Sequence, residues 1–272
     1  MQASLAYQGH AFWDRWLRSV TPRCGGVDEG CATRTYSLGQ KIYSAARHNG
    51  DAGPPPGSRP SAGWLYLLEV QRVETPGRVD ETSLAIGVTG PPSLASVFQR
   101  IAHGYGPEYN RPVDWSRQLP FEPGFMARYE RSQRVFTRQL ASGWGLFVDP
   151  HAGGALGTVL TEAVAGVRAR AEYPTPSSAP IVAAAPSRLE CSWYADAGMH
   201  GVLRNEFLDG TFFRQSDHVR SRPWVSDLQT GISLRWRQVG VSYEVHQVSS
   251  EYVTRVGSHT WASLSAEWRY RP

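Results

Sequence analysis

Gln99 and His103 stand four residues apart in the run ASVFQRIAH, a spacing that places an amide and an imidazole as neighbours on one helix face. An imidazole ionises near neutrality, so a histidine held in a cleft can take a proton from water as a general base. Leu94, Val97, Phe98 and Ile101 follow the i, i+3, i+4, i+7 pattern of a single apolar stripe. At about 100° per residue, His103 lies roughly opposite that stripe. The expectation is a short helix near residues 93–103 that packs its apolar side on a protein wall and turns Gln99 and His103 into a cleft. Read from spacing alone, a solvent-facing histidine with no catalytic role is the commoner case.

The segments on either side must position this helix. Upstream, Leu84, Ile86 and Val88 alternate in a strand that stops at Gly90-Pro91-Pro92. Downstream lies an irregular loop with Trp115, Gln118, Leu119 and Pro123. A connection of this length between two strands is more than a turn needs, and such loops are usually functional or disordered.

The rest of the chain reads as strands. In the last third, Ile232, Leu234 and Trp236 alternate with Ser233, Arg235 and Arg237, and Val239, Val241, Tyr243 and Val245 alternate with Ser242, Glu244 and His246. Ala262, Leu264, Ala266, Trp268 and Tyr270 alternate with Ser263, Ser265, Glu267 and Arg269. Period-2 amphipathicity over segments of this length, separated by turns, matches transmembrane β-barrel strands, although a soluble barrel or sandwich also alternates. Aromatic residues near strand ends suit interfacial girdles. Eleven strands are expected, at 2–12, 35–44, 62–75, 81–89, 125–140, 143–151, 157–170, 188–200, 224–237, 239–251 and 260–270. Segment 201–223 is expected to hold short polar pieces. His151 reads as a strand-end or turn residue and His246 as a polar lumenal filler.

Composition sets bounds. The chain has 272 residues, 41% hydrophobic and 11% aromatic, enough for a single large domain over 1–272. No run of 18 apolar residues exists, which excludes a transmembrane helix. Lys41 is the one lysine among 28 Lys and Arg residues, and the formal net charge is +4. Arginine suits bidentate phosphate contacts, but a codon bias toward arginine explains the same count. The arginines are scattered, which disfavours nucleic acid as a partner. Cys24 and Cys31 flank GGVDEG and are placed either to form a small disulfide or to remain free thiols; no C-x-x-C metal pair is present. Neither a G-x-S-x-G elbow nor H-E-x-x-H occurs, which argues against a serine or zinc hydrolase.

The strings IGVTGP (Ile86–Pro91), FQRIAHG (Phe98–Gly104), DWSRQL (Asp114–Leu119) and EPGF (Glu122–Phe125) together resemble the lipid A deacylase family of outer-membrane barrels. YSLGQKIYS (Tyr36–Ser44), SRPSAGWLY (Ser58–Tyr66) and GGALGT (Gly153–Thr158) extend the resemblance over nearly the whole chain. Ser61 departs from it, since a tyrosine is common there. The resemblance implies an all-β, antiparallel, twelve-stranded transmembrane barrel, of which about eleven strands are present here. It implies hydrolysis of a 3'-linked acyloxyacyl ester of lipid A, with lipopolysaccharide as partner, calcium as cofactor and the bacterial outer membrane as location. His103 and Gln99 match the family's catalytic histidine and the glutamine before it. Arg47 and Trp115 are candidate substrate contacts, and the metal ligands are unassigned. The family's Asn-Asp pair and threonine would precede Met1, so the chain is expected to begin after the first strand and without a signal peptide. An inactive truncated barrel and a porin-like channel are the alternatives.

Overall fold

A computed structural model of the chain describes residues 2–7, 31–43, 57–103, 115–174, 189–237 and 239–268. Its strands are β1 (Gln2–Tyr7), β2 (Cys31–Tyr43), β3 (Ala62–Thr75), β4 (Arg78–Thr89), β5 (Pro123–Gln133), β6 (Phe136–Gln139), β7 (Gly145–Gly157), β8 (Leu160–Tyr173), β9 (Glu190–Asn205), β10 (Trp224–Trp236), β11 (Val239–Val248) and β12 (His259–Trp268). They form one antiparallel sheet in chain order, with β6 off the main path and paired to β7 alone. Among the described residues no ladder joins β1 to β12. No described helix is long and apolar enough to cross a membrane, which says nothing of strands that do so.

Register places the two faces. Leu67 pairs with Ile86, Ile86 with Phe125, and Ile232 with Tyr243, and each of these side chains is exposed. Such a continuous apolar outer band on a water-soluble protein would be an aggregation surface; on a transmembrane barrel it is the lipid-facing wall. The opposite face carries charge, but the charges are paired. Asp196 takes Arg168 Nε at 2.6 Å and His151 Nε2 at 3.1 Å, and Glu162 takes Arg128 at 3.2 Å and His200 Nδ1 at 3.0 Å. Asp149 joins Arg134 at 3.2 Å and Arg170 at 2.6 Å. Burying these carboxylates without such partners would cost several kcal/mol each, about the effective penalty for a desolvated ion.

Several strand boundaries differ from the sequence expectation, and three of the differences bear on the interior. The strand expected over 125–140 breaks after Gln133, where Arg134 N–H bonds Gly77 O at 2.6 Å and Val135 N–H bonds Val148 O at 3.0 Å. β5 pairs with both β4 and β7, and beyond the break β6 keeps β7 and leaves β4. The strand expected to stop at 200 runs to Asn205, so polar Arg204 and Asn205 are strand residues. His151, expected at a strand end, sits buried within β7 and bonded to Asp196. Polar residues at a lumenal register position do not end a strand, and period alone cannot distinguish them from turn residues.

The connections at 44–61, 90–122, 206–223 and 249–258 share one end of the sheet, and those at 8–30 and 174–189 join strands at the other. That other end also holds the hairpin at Pro76-Gly77 and a cavity of about 370 Å³ lined by paired charges such as Arg170, Asp149 and Glu172. At the first end Ala62, Trp64, Tyr66, Ala85, Leu119, Val159 and Phe207 form a buried apolar cluster. The described interior thus has an apolar cluster at one end and paired charges through the middle.

Candidate functional site

The helix expected near 93–103 is α1, Ala95–His103, preceded by a 3-10 turn at Pro91–Ser93. Gly90 turns the chain out of β4 with φ +74°, and a Cβ there would stand 2.5 Å from Phe121 N, so only glycine fits. The turn then folds onto the outside of the wall. Gly63, on the outer-face register of β3, meets Ser93 and Ala95 so closely that a Cβ would lie 2.2 Å from the Ala95 methyl. The Gln40 amide of β2 donates to Ser93 O. Ser93 and Ala95 are accordingly buried. The helix stands against the rim of β2 and β3, outside the lumen.

The stripe expected to pack on protein does not. Leu94, Val97, Phe98 and Ile101 are all exposed, and small Ala95 makes the contact instead. The physical reason is the approach distance: a glycine wall admits a methyl and excludes the large side chains of the stripe.

Gln99 and Trp115 do come together. Trp115 Nε1–H donates to Gln99 Oε1 at 2.8 Å, and both side chains are half-buried. The indole therefore fixes the amide oxygen and leaves the Gln99 nitrogen as a donor with no partner among the described residues. His103 closes the helix one turn further on, and its side chain lies outside the described residues. Arg47 and Cys24 also lie outside them. The loop carrying Trp115 is anchored from below. Leu119 is fully buried, its N–H bonds Ser61 O at 2.9 Å, and Ser61 bridges Gln118 in parallel pairing. Ser61, the residue that departs from the family string, is buried at this junction.

Sequence reasoning missed a pair of buried carboxylates beneath this loop. Glu122 accepts the Phe212 and Phe213 N–H groups at 2.6 and 3.0 Å. Glu206 opens the short helix α2, Glu206–Asp209, where it is completely buried. Its Oε1 accepts the Thr89 hydroxyl at 3.1 Å, and its Oε2 is buried with no partner among the described residues. Burial, first, and the neighbouring Glu122 charge, second, raise the Glu206 carboxyl to about 7, against the pull of the Thr89 bond and of Arg204. Thr89 N–H in turn bonds Glu122 O at 2.9 Å. The cluster ties the ends of β4, β5 and β9 together under the Trp115 loop. The string NEFLDG held a signal: Asn205 caps the helix by accepting Phe207 N–H at 3.1 Å, and Gly210 ends it at φ +83°.

Calcium, which the resemblance implies, finds no group of three His, Cys, Asp or Glu side chains among the described residues to hold it. Among the described cations at this end, Arg100, Arg117, Arg214, Arg220 and Arg222 are exposed, with Arg117 paired to Asp217 at 2.9 Å.

The family model for outer membrane protein LpxR matches residues 2–270. The chain belongs to the LpxR family. Among solved structures, LpxR from Salmonella typhimurium shares the fold with a TM-score of 0.77 at 15% identity, covering 99% of this chain and 99% of that one. A comparison with curated protein sequences finds no match. LpxR membership makes the chain an outer-membrane barrel, and the apolar outer band and paired interior are what that setting requires. Bacterial barrels carry short turns toward the periplasm and long loops toward the exterior. The connection that carries α1 in this LpxR-family chain, residues 90–122, is the longest between its strands, which matches an exterior loop better than a periplasmic turn.

Proposed function

We propose that this barrel is a lipid A deacylase that hydrolyses a 3'-linked acyloxyacyl ester, with His103 as general base. Water adds to the ester carbonyl as its proton passes to the imidazole, and the sugar oxygen leaves as that proton returns. Gln99, its oxygen held by Trp115, orients the ring or the attacking water through its amide nitrogen. The observation that carries the reading is the placement of the Gln99–His103 helix on the outer wall at the rim, where an ester of an outer-leaflet lipid lies, rather than in the lumen. The exposed arginines of the same end supply contacts for an anionic headgroup. Calcium, if bound by residues outside the described set, would polarise the carbonyl.

The test is mass spectrometry of lipid A from cells expressing the chain or its His103→Ala variant, with assembly checked by heat-modifiable gel mobility. Loss of the acyloxyacyl group with the parent chain and its retention with an assembled variant support the reading. Equal deacylation by both overturns it.

A further inference from the structure

An amphipathic helix on a globular protein turns its apolar face to the core. In α1 the reverse holds. Leu94 is 47%, Val97 39%, Phe98 41% and Ile101 54% exposed, whereas Ala95 is 2% exposed against Gly63. At about 100° per residue, the helix divides into three sectors. Ala95 and Gln99 face the wall and the Trp115 loop, Ser96 and Arg100 fall on a second sector, and the large apolar residues fill the third. Three environments about 120° apart are what a helix meets when it lies against a barrel, in the plane of a membrane surface.

The apolar sector also has a neighbour that says what covers it. Gln40 and Gly63, which seat the helix, are on the outer face of β2 and β3. The same face carries exposed Leu38, Leu67 and Ile86, with Phe125 paired beside Ile86. The unpartnered stripe is therefore continuous with the lipid-facing wall.

We propose that α1 is an interfacial helix whose Leu94, Val97, Phe98 and Ile101 face is embedded among the acyl chains of the outer leaflet. This fixes the depth of Gln99 at the boundary between chains and headgroups. A substrate then reaches the helix by lateral diffusion in the leaflet, not from water. The inference deepens the deacylase reading and shares its orientation of the barrel, but its test reads depth, not turnover, so the two fail separately.

The experiment uses the full chain with its three cysteines replaced by serine, assembled in phosphatidylcholine vesicles. An environment-sensitive fluorophore is placed singly at Val97→Cys, Ile101→Cys, Arg100→Cys and, as a lipid-wall reference, Leu67→Cys. Quenching by doxyl-labelled phosphatidylcholine at 97 and 101 is expected to match that at 67 and to exceed that at 100 several-fold, with aqueous iodide giving the opposite order. Labels at 97 and 101 that behave like the one at 100 overturn the proposal. So does protection of 97 and 101 from both quenchers that rises with protein density, which would mean a second copy covers the stripe. In a second variant, Phe98→Asp, the label at 97 is expected to move toward iodide while the barrel keeps its heat-modifiable mobility. An unmoved label in that assembled variant also overturns it.

Discussion

Replacing Glu206 with glutamine tests the buried carboxylate cluster directly. Glu206 is fully buried in the connection beyond β9, with one oxygen bonded to Thr89 and the other without a partner among the described residues. Its carboxyl is raised from the ordinary 4.5 to about 7. A group that holds its proton more tightly when folded stabilises the fold fully below its unfolded value and loses that contribution as pH rises through its folded value. A tenfold tighter hold on a proton is worth about 1.4 kcal/mol, so ionising Glu206 costs the folded rim about 3 kcal/mol as pH climbs from its unfolded value past its folded one. Glutamine keeps an oxygen for the Thr89 hydroxyl and carries no charge at any pH. The assay is urea unfolding of the assembled barrel in a series of buffers from mildly acidic to mildly alkaline, followed by tryptophan fluorescence. The parent is expected to lose stability steadily across that series, and Glu206→Gln is expected to lose about 3 kcal/mol less. Parallel pH profiles for parent and variant would refute the reasoning, because the pH dependence would then arise from other groups.

Other perturbations follow from the same geometry. Gln99→Ala removes the acceptor of Trp115 Nε1–H, and deacylation is expected to fall about a hundredfold through lost positioning, with unchanged assembly, as read by lipid A mass spectrometry over time. Asp196→Ala removes the carboxylate shared by His151 Nε2 and Arg168 and is expected to lower the unfolding free energy by about 3 kcal/mol, the low end for a broken buried pair because Arg168 is one-third exposed and His151 keeps Glu130 at 3.5 Å. Ile232→Arg puts a charge on the exposed apolar band of β10 and is expected to cost about 2–4 kcal/mol in vesicles, read by the urea midpoint. A midpoint unchanged from the parent would mean that this face does not meet lipid.

How much of the fold was legible depended on the kind of signal each segment carried. The outer band was legible because lipid accepts only apolar side chains, so Ile232, Leu234 and Trp236 had to alternate with polar residues whatever the neighbours were. The helix was legible for the same reason, since Leu94, Val97, Phe98 and Ile101 repeat at its period. The strings around Gln99, His103 and Trp115 carried the family, and the family model bears that out. What the sequence left open was where each apolar stripe would go. An amphipathic pattern gives a direction without a destination, and the contact of Ala95 with Gly63 turned the stripe of α1 outward. The sequence also left open the union of Glu122 with Glu206, and that of Asp196 with His151 and Arg168. These pairs lie far apart along the chain and meet only because sheet register brings β4, β5, β7, β8 and β9 side by side. By itself the sequence determined that the chain is an outer-membrane barrel with a rim helix bearing Gln99 and His103. Only tertiary structure decided the depth, the partners and the ionisation of its buried groups, because each of those depends on distances that no local pattern encodes.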